Sequence, residues 1–259
     1  MAVALTPAVV GLLVGTVFLA GAVNGVAGFG FALVGTMALA TVLDPATAVV
    51  LIIFPVFAVN LSLVGDLSVD DLRYCGRRFG PLIGGALVGT LAGMVLLDRL
   101  PAAPLRVGLG VVTLAFVASM QSVVPLPSWD ADAAFVESGP VMAVVGALSG
   151  VLFGATNVGV QLVAYLRSRG LTHGLFVGVV ALVFLGLNGL RIGAAAVLGL
   201  YPTVTVAALS VAAAVPAVAG VAVGKRLRGV VSERQQRVGV LGLLTVIGLR
   251  LLSSGLGSL

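Results

Sequence analysis

All nine acidic residues of the chain (Asp44, Asp66, Asp70, Asp71, Asp98, Asp130, Asp132, Glu137 and Glu233) stand between long apolar runs or at their ends. The runs occupy 8–43, 45–65, 80–97, 107–124, 139–166, 175–199, 203–224 and 238–254. A helix of ~20 apolar residues crosses the ~30 Å hydrocarbon layer, where the backbone must satisfy its own hydrogen bonds. The pattern predicts an all-α polytopic membrane protein with about eight transmembrane segments. Composition excludes the alternatives: 60% of the 259 residues are hydrophobic and only 9% charged. A soluble domain carries ~25% charged residues because its surface faces water. Soluble enzymes and disordered tails are excluded on that count.

The formal charge is +5, and every basic residue except Lys225 is arginine. These residues are scattered among apolar runs, with no basic face interleaved with aromatics, so no nucleic-acid partner is expected. Membrane lipid is the expected surrounding, and the arginine excess fits the positive-inside rule. Cys75 is alone and cannot form an internal disulfide; with one histidine, His173, it leaves no metal or cofactor constellation. His173, in the loop RSRGLTHG, is expected to be solvated. The first run lacks the basic flank of a cleaved signal peptide and is expected to be a retained membrane segment.

Runs 8–43 and 139–166 are too long for single simple helices. Each is interrupted by a glycine-rich polar stretch, Asn24 to Gly30 in the first and Gly154 to Gly159 in the second. Each is expected to be a broken or re-entrant element, which is tolerable at membrane depth only inside protein or along a polar cavity. Polar Asn24, Thr156, Asn157 and Gln161 beside the glycines favour a substrate cavity over tight packing. Ridges with four-residue spacing, Gly85, Gly89 and Gly93 in one run and Gly220 and Gly224 in another, are expected to pack helices. They also permit a homodimer.

The halves echo each other. Gly21-Ala-Val-Asn-Gly25 resembles Gly146-Ala-Leu-Ser-Gly150, and Phe54 to Asn60 lies against Leu182 to Asn188. This predicts a duplicated four-helix unit, residues 1–124 and 139–259, joined by a linker at 125–138. Orientation follows from the basic residues. Placing 98–106, 167–173 and 225–237 in the cytoplasm leaves Arg73, Arg77 and Arg78 on the opposite side.

Two charged residues, Arg191 and Arg250, lie well inside apolar runs. An intramembrane charge is costly unless it is paired or hydrated, and it marks a candidate site. Arg191 follows Asn188 by three residues, on the same helical face, with no acid expected at that depth. A permanently charged fork beside amide donors suits an oxyanion. Snorkelling to the headgroups is the alternative for Arg191 and the leading expectation for Arg250. Helix N-termini at the two breaks would add N–H donors for an anion. Asn60 and Asn188 occupy matching repeat positions; each is either a substrate contact or an interhelical hydrogen bond. Asp44 before Pro45 reads as a helix cap. No membrane carboxylate pair, nucleophile elbow or zinc-protease signature is present, so no enzyme is expected.

The stretches AGAVNGVAGFGFALVGTMALATVLDPATAVVLIIFPVFAVNLSLVG (20–65) and GALSGVLFGATNVGVQLVAYLRSRGLTHGLFVGVVALVFLGLNGLRIGAAAVLGLY (146–201) resemble the sulfite exporter TauE/SafE family of membrane transporters. The resemblance implies a duplicated four-helix unit and transport of sulfite, organosulfonates or related anions across a bacterial inner membrane. It places the family's glycine motif on Gly25, Gly28 and Gly30, and on Gly150, Gly154 and Gly159. The chain departs from many members in having Phe29 between Gly28 and Gly30, and Gly159-Val160-Gln161 where others have Gly-Pro-Pro.

The expected function is therefore a carrier for a small sulfur-containing anionic substrate, such as sulfite or an organosulfonate. The expected site comprises Asn24, Gly28, Phe29, Gly30, Asn60, Thr156, Asn157, Gly159, Gln161, Asn188 and Arg191. A carrier for another small organic anion, such as a carboxylate, and a passive anion channel are the competing readings. A scaffold would leave the intramembrane Gly-Asn breaks without a reason.

Overall fold

The computed structural model describes residues 6–27, 30–62, 69–120, 138–167, 169, 173–230 and 232–258. These form twelve helices: α1 (Pro7–Ala27), α2 (Phe31–Ala40), α3 (Pro45–Leu51), α4 (Ile53–Leu61), α5 (Val69–Arg99), α6 (Ala102–Met120), α7 (Gly139–Thr156), α8 (Val160–Arg167), α9 (His173–Val197), α10 (Val204–Ala212), α11 (Ala214–Leu227) and α12 (Glu233–Leu256). Among the described residues there is no strand. Among the described residues, seven helical stretches are long and apolar enough to cross a membrane, one of them Val204–Leu227 across α10 and α11; Phe31–Ala40 and Pro45–Leu61 are shorter apolar pieces. The chain is an all-α, multi-pass membrane protein. Of the linker expected at 125–138, only residue 138 is described.

Both long runs break where the glycine-rich stretches predict. Gly30, at φ 100°, caps α2, and the Asn24 side-chain Oδ1 accepts the Phe31 N–H at 3.3 Å. Further along, a Cβ at Gly35 would lie 3.5 Å from that of Ala20. Residue numbers rise on α2 as they fall on α1, so the chain turns back on itself. With ten residues, α2 is ~15 Å long, about half the hydrocarbon thickness. Asp44 then caps α3, accepting from the Thr47 N–H at 3.0 Å, with Pro45 following it as expected. The second break is at Asn157, which ends α7 in the left-handed region at φ 63°.

Proline sets the kink between α3 and α4. Pro55 has no N–H, so the Leu51 carbonyl four residues earlier loses its intrahelical donor. Ser210 on α10 replaces it, donating from Oγ at 2.8 Å.

Glycine then decides how the long helices pair. Along α5, an added Cβ at Gly85, Gly89 or Gly93 would collide with the backbone carbonyl of Ala143, Ala147 or Val151 on α7. In return, Gly146, Gly150 and Gly154 press on Leu82, Ala86 and Thr90 of α5. Gly21 and Gly25 of α1 meet α11 at Ala217 and Val221, and Gly220 and Gly224 press back on Phe18 and Ala22. Only a hydrogen at these positions lets two backbones touch. Both ridges are thereby used in packing within the chain. Pro81, Gly85 and Gly89 on α5 have the same spacing as Pro216, Gly220 and Gly224 on α11.

In both pairs the residue numbers rise together, so α1 runs parallel to α11 and α5 parallel to α7. In contrast, α6 and α12 run antiparallel, Gly255 lying against Val107 and Gly248 against Leu114. Successive spans joined by turns as short as 100–101 and 228–232 must cross in opposite senses. The Ala27 end of α1, the Val69 end of α5, the Gly139 end of α7 and the Leu227 end of α11 therefore share one face. The Pro7, Arg99, Thr156, Val204 and Leu256 ends share the other. A hydrogen bond between faces of the same side agrees with this: Arg228 Nε donates to the Val26 carbonyl at 2.9 Å.

This corrects the orientation expected from the charge pattern. Residues 98–106 lie opposite 225–237, and Arg73, Arg77 and Arg78 lie on the same side as 225–237. The physical reason is the reversal at each glycine break. A run that turns back changes the side of every loop after it, and the second break restores the original alternation.

Candidate functional site

The α4 helix packs against α9, and the second break, at Asn157, closes against this centre. Here Arg191 is the largest fully buried side chain, with no solvent exposure. Six residues separate it from the Val197 end of α9, or ~9 Å along the axis. Snorkelling is therefore not what the side chain does. It lies beneath the Phe153 ring, its Cζ 4.9 Å from the ring centroid, in a cation–π contact.

One of the three guanidinium nitrogens is used. Its Nη1 donates to the Asn188 Oδ1 at 3.2 Å and, in a short contact, to the Asn157 Oδ1. Its Nε and Nη2 are buried and have no hydrogen-bond partner. Those two nitrogens form one side edge of the fork, the geometry that takes a carboxylate, sulfonate or phosphate through two parallel bonds. Among the described residues no carboxylate pairs with Arg191. A desolvated cation with one bidentate edge unfilled is chemically an oxyanion receptor.

Asn157 is 1% exposed and fully engaged. Its Nδ2 donates to the Thr36 Oγ1 at 2.7 Å and to the Val49 carbonyl at 2.9 Å, while its oxygen accepts from Arg191. One amide thus joins α2, α3, the end of α7 and α9. Asn188 shares its oxygen with Arg191 and donates its own N–H to the Phe184 carbonyl one turn back at 2.8 Å. Phe184 in turn packs against Phe153 with the two rings tilted by 52° and their centroids 5.1 Å apart. Gly159 makes room for that pair, since an added Cβ would strike the Phe184 ring.

The structure thus brings together Asn157, Asn188 and Arg191, with Gly159 beside them. The other sequence-predicted residues lie elsewhere or have their polar atoms committed. Thr156 donates to its own helix at Leu152 (2.6 Å) and accepts the Val158 N–H at 3.2 Å. Asn24 and Gly30 form the turn into α2. Asn60, on α4, donates to the Val56 carbonyl at 3.0 Å, the same one-turn bond that Asn188 makes. The amide oxygen of Gln161, on α8, is buried without a partner. Gly28 and Phe29 lie outside the described residues. Sequence reasoning missed Thr36, Phe153 and the Val49 carbonyl. Thr36 is the one polar residue within α2, and that isolation was the signal available.

Neither the curated proteins nor the solved structures gave a match to the chain. A family model did, over residues 13–251, and its extent takes in both glycine breaks, Arg191 and all but the last turn of α12. The chain belongs to the sulfite exporter TauE/SafE family of membrane transporters.

Proposed function

We propose that the protein is a secondary carrier moving a small sulfur-containing anion, sulfite or an organosulfonate, across the cell inner membrane. The observation that carries this reading is the buried Arg191 whose Nε and Nη2 edge has no protein partner. An oxyanion on that edge would neutralise the cation where burial makes the unpaired charge most costly. The full enclosure of Arg191 favours a carrier, which occludes its cargo, over an open channel. Sulfite and sulfonates present paired oxygens to the fork; family membership supports sulfur as the central atom.

Residues 1–124 and 139–259 are, in this reading, two units of inverted topology. Three observations support it. The α1 and α7 helices run in opposite senses, each ending in a break. Each packs by reciprocal glycines on a Pro-Gly-Gly helix of the other unit. Asn60 and Asn188 make the same backbone bond at matching positions. Inverted units meeting at a central site permit alternating access by movement of one against the other. The face bearing Arg73, Arg77, Arg78, Lys225, Arg226 and Arg228 is the cytoplasmic one.

The test is flux into proteoliposomes of sulfite, sulfoacetate, taurine and lactate, wild type against Arg191→Ala. Saturable flux of sulfite or a sulfonate, lost in the variant, is expected. Lactate-selective flux would establish a carboxylate carrier instead, and non-saturating flux of every anion a channel.

A further inference from the structure

We propose that Asn157 is the latch that holds the empty carrier still, and that anion binding to Arg191 releases it. The inference rests on the anion-carrier reading above and concerns what happens when the site is empty. Asn157 is a positioning residue here, since it acts through Arg191 and not on the substrate.

The argument starts from the bonds of one amide. Asn157 ties Arg191 on α9 to Thr36 on α2 and to the Val49 carbonyl on α3. Asn157 and Arg191 lie in residues 139–259, so the two bonds to Thr36 and Val49 are the ones that cross to residues 1–124, the unit that must move against it if access is to alternate. Asn188 also accepts from Arg191, but it lies on the same helix and cannot cross-link anything. Among the described residues, Asn157 is also the one non-glycine residue at positive φ, so the backbone is held in a rarely adopted conformation that aims the amide inward.

Charge then links the latch to occupancy. With its second edge empty, Arg191 is an uncompensated cation in a low-dielectric site. A hydrogen bond from a charged donor is about twice as strong as a neutral one, so the empty carrier grips Asn157 most firmly. An oxyanion on Nε and Nη2 neutralises the guanidinium and weakens its hold on the Asn157 oxygen. With that hold goes the polarisation that strengthens the same amide's donation to Thr36 and Val49 across the units. The loaded carrier therefore reorients more easily than the empty one. Such a carrier exchanges substrate for substrate faster than it produces net flux, because only net flux requires the empty form to return.

The experiment compares labelled sulfite uptake into proteoliposomes that contain unlabelled sulfite with uptake into sulfite-free ones. For wild type, exchange should exceed net uptake by about tenfold, the factor expected from one bond to a charged group. Asn157→Gly removes the amide yet keeps the backbone conformation, and should bring the two rates to within about twofold. Thr36→Val removes one anchor of the latch and should move the ratio partway. Asn188→Ala should raise KM and leave the ratio at its wild-type value. A merely structural role for Asn157 would scale both rates together.

Active Asn157→Gly and Thr36→Val proteins with the wild-type ratio would overturn the latch. If Asn157→Gly does not fold, Thr36→Val decides in the same way. Saturable wild-type sulfite flux with equal exchange and net rates refutes the latch while leaving the carrier reading intact. Absence of any anion flux in wild type refutes the carrier reading itself, and the latch with it.

Discussion

Removing Arg191 separates the cost of a buried charge from its use. The guanidinium is stripped of water and satisfied on one nitrogen out of three. Replacing a buried, incompletely paired ion with an apolar side chain of similar volume is often neutral or stabilising. Arg191→Met should accordingly unfold in detergent at a temperature no lower than wild type without substrate. Sulfite should raise the unfolding temperature of wild type, as any ligand of the native state does, and leave that of the variant unchanged. A variant stabilised by sulfite to the same degree would place the anion elsewhere. Arg191→Lys keeps the charge but loses the bidentate edge, and should lose most transport. At this scale the sequence was informative about charge and about the neighbour one turn away, Asn188, and silent about partners distant in the chain. An arginine in an apolar run is visible at once, because nothing else there is charged. Thr36 is not, because a threonine in a helix ordinarily bonds its own backbone, and only the tertiary fold shows that Asn157 reaches it.

Helix pairing depends on whether a glycine faces a neighbour's backbone or lipid, and two glycines of the paired helices α5 and α7 provide the contrast. Gly150 on α7 faces the Ala86 carbonyl of α5 so closely that a methyl group would force the helices apart. Gly84 on α5 has nothing within 4 Å of an added Cβ. Gly150→Ala should therefore destabilise by ~1–3 kcal/mol, the usual cost of overpacking. Gly84→Ala should be neutral or stabilise by up to ~1 kcal/mol, since alanine is the better helix former. Chemical denaturation in detergent measures both; equal shifts would contradict the packing. These ridges were legible in the sequence because a four-residue repeat puts small residues on one side of a helix whatever it packs against. Which helices pair was not legible: the Pro-Gly-Gly spacing shared by α5 and α11 marks a similar surface but names no partner. The sequence marked the break before α2 as broken or re-entrant but could not decide between them, because hydropathy records depth in the membrane and carries no direction.

The direction of each crossing is a property of the whole molecule, and it has an observable consequence at three loops. The charge pattern alone puts 98–106 beside 225–237 and Arg73 across the membrane from both. The packing puts 98–106 alone on one side, because parallel α5 and α7, parallel α1 and α11, and antiparallel α6 and α12 admit one alternation of faces. The same packing gathers Arg73, Arg77, Arg78, Lys225, Arg226 and Arg228 on the other face, in keeping with the positive-inside rule. Single cysteines at exposed positions distinguish the arrangements, in a background where Cys75→Ser removes the native thiol. An impermeant thiol reagent added to intact cells should label Pro101→Cys and spare both Gly229→Cys and Asp70→Cys. Permeabilised cells should label all three. Labelling of positions 101 and 229 from the same side would mean that α2 does not turn back. The two glycine breaks would then no longer lie on opposite faces, and the inverted relation between the halves, with the alternating access built on it, would fall together.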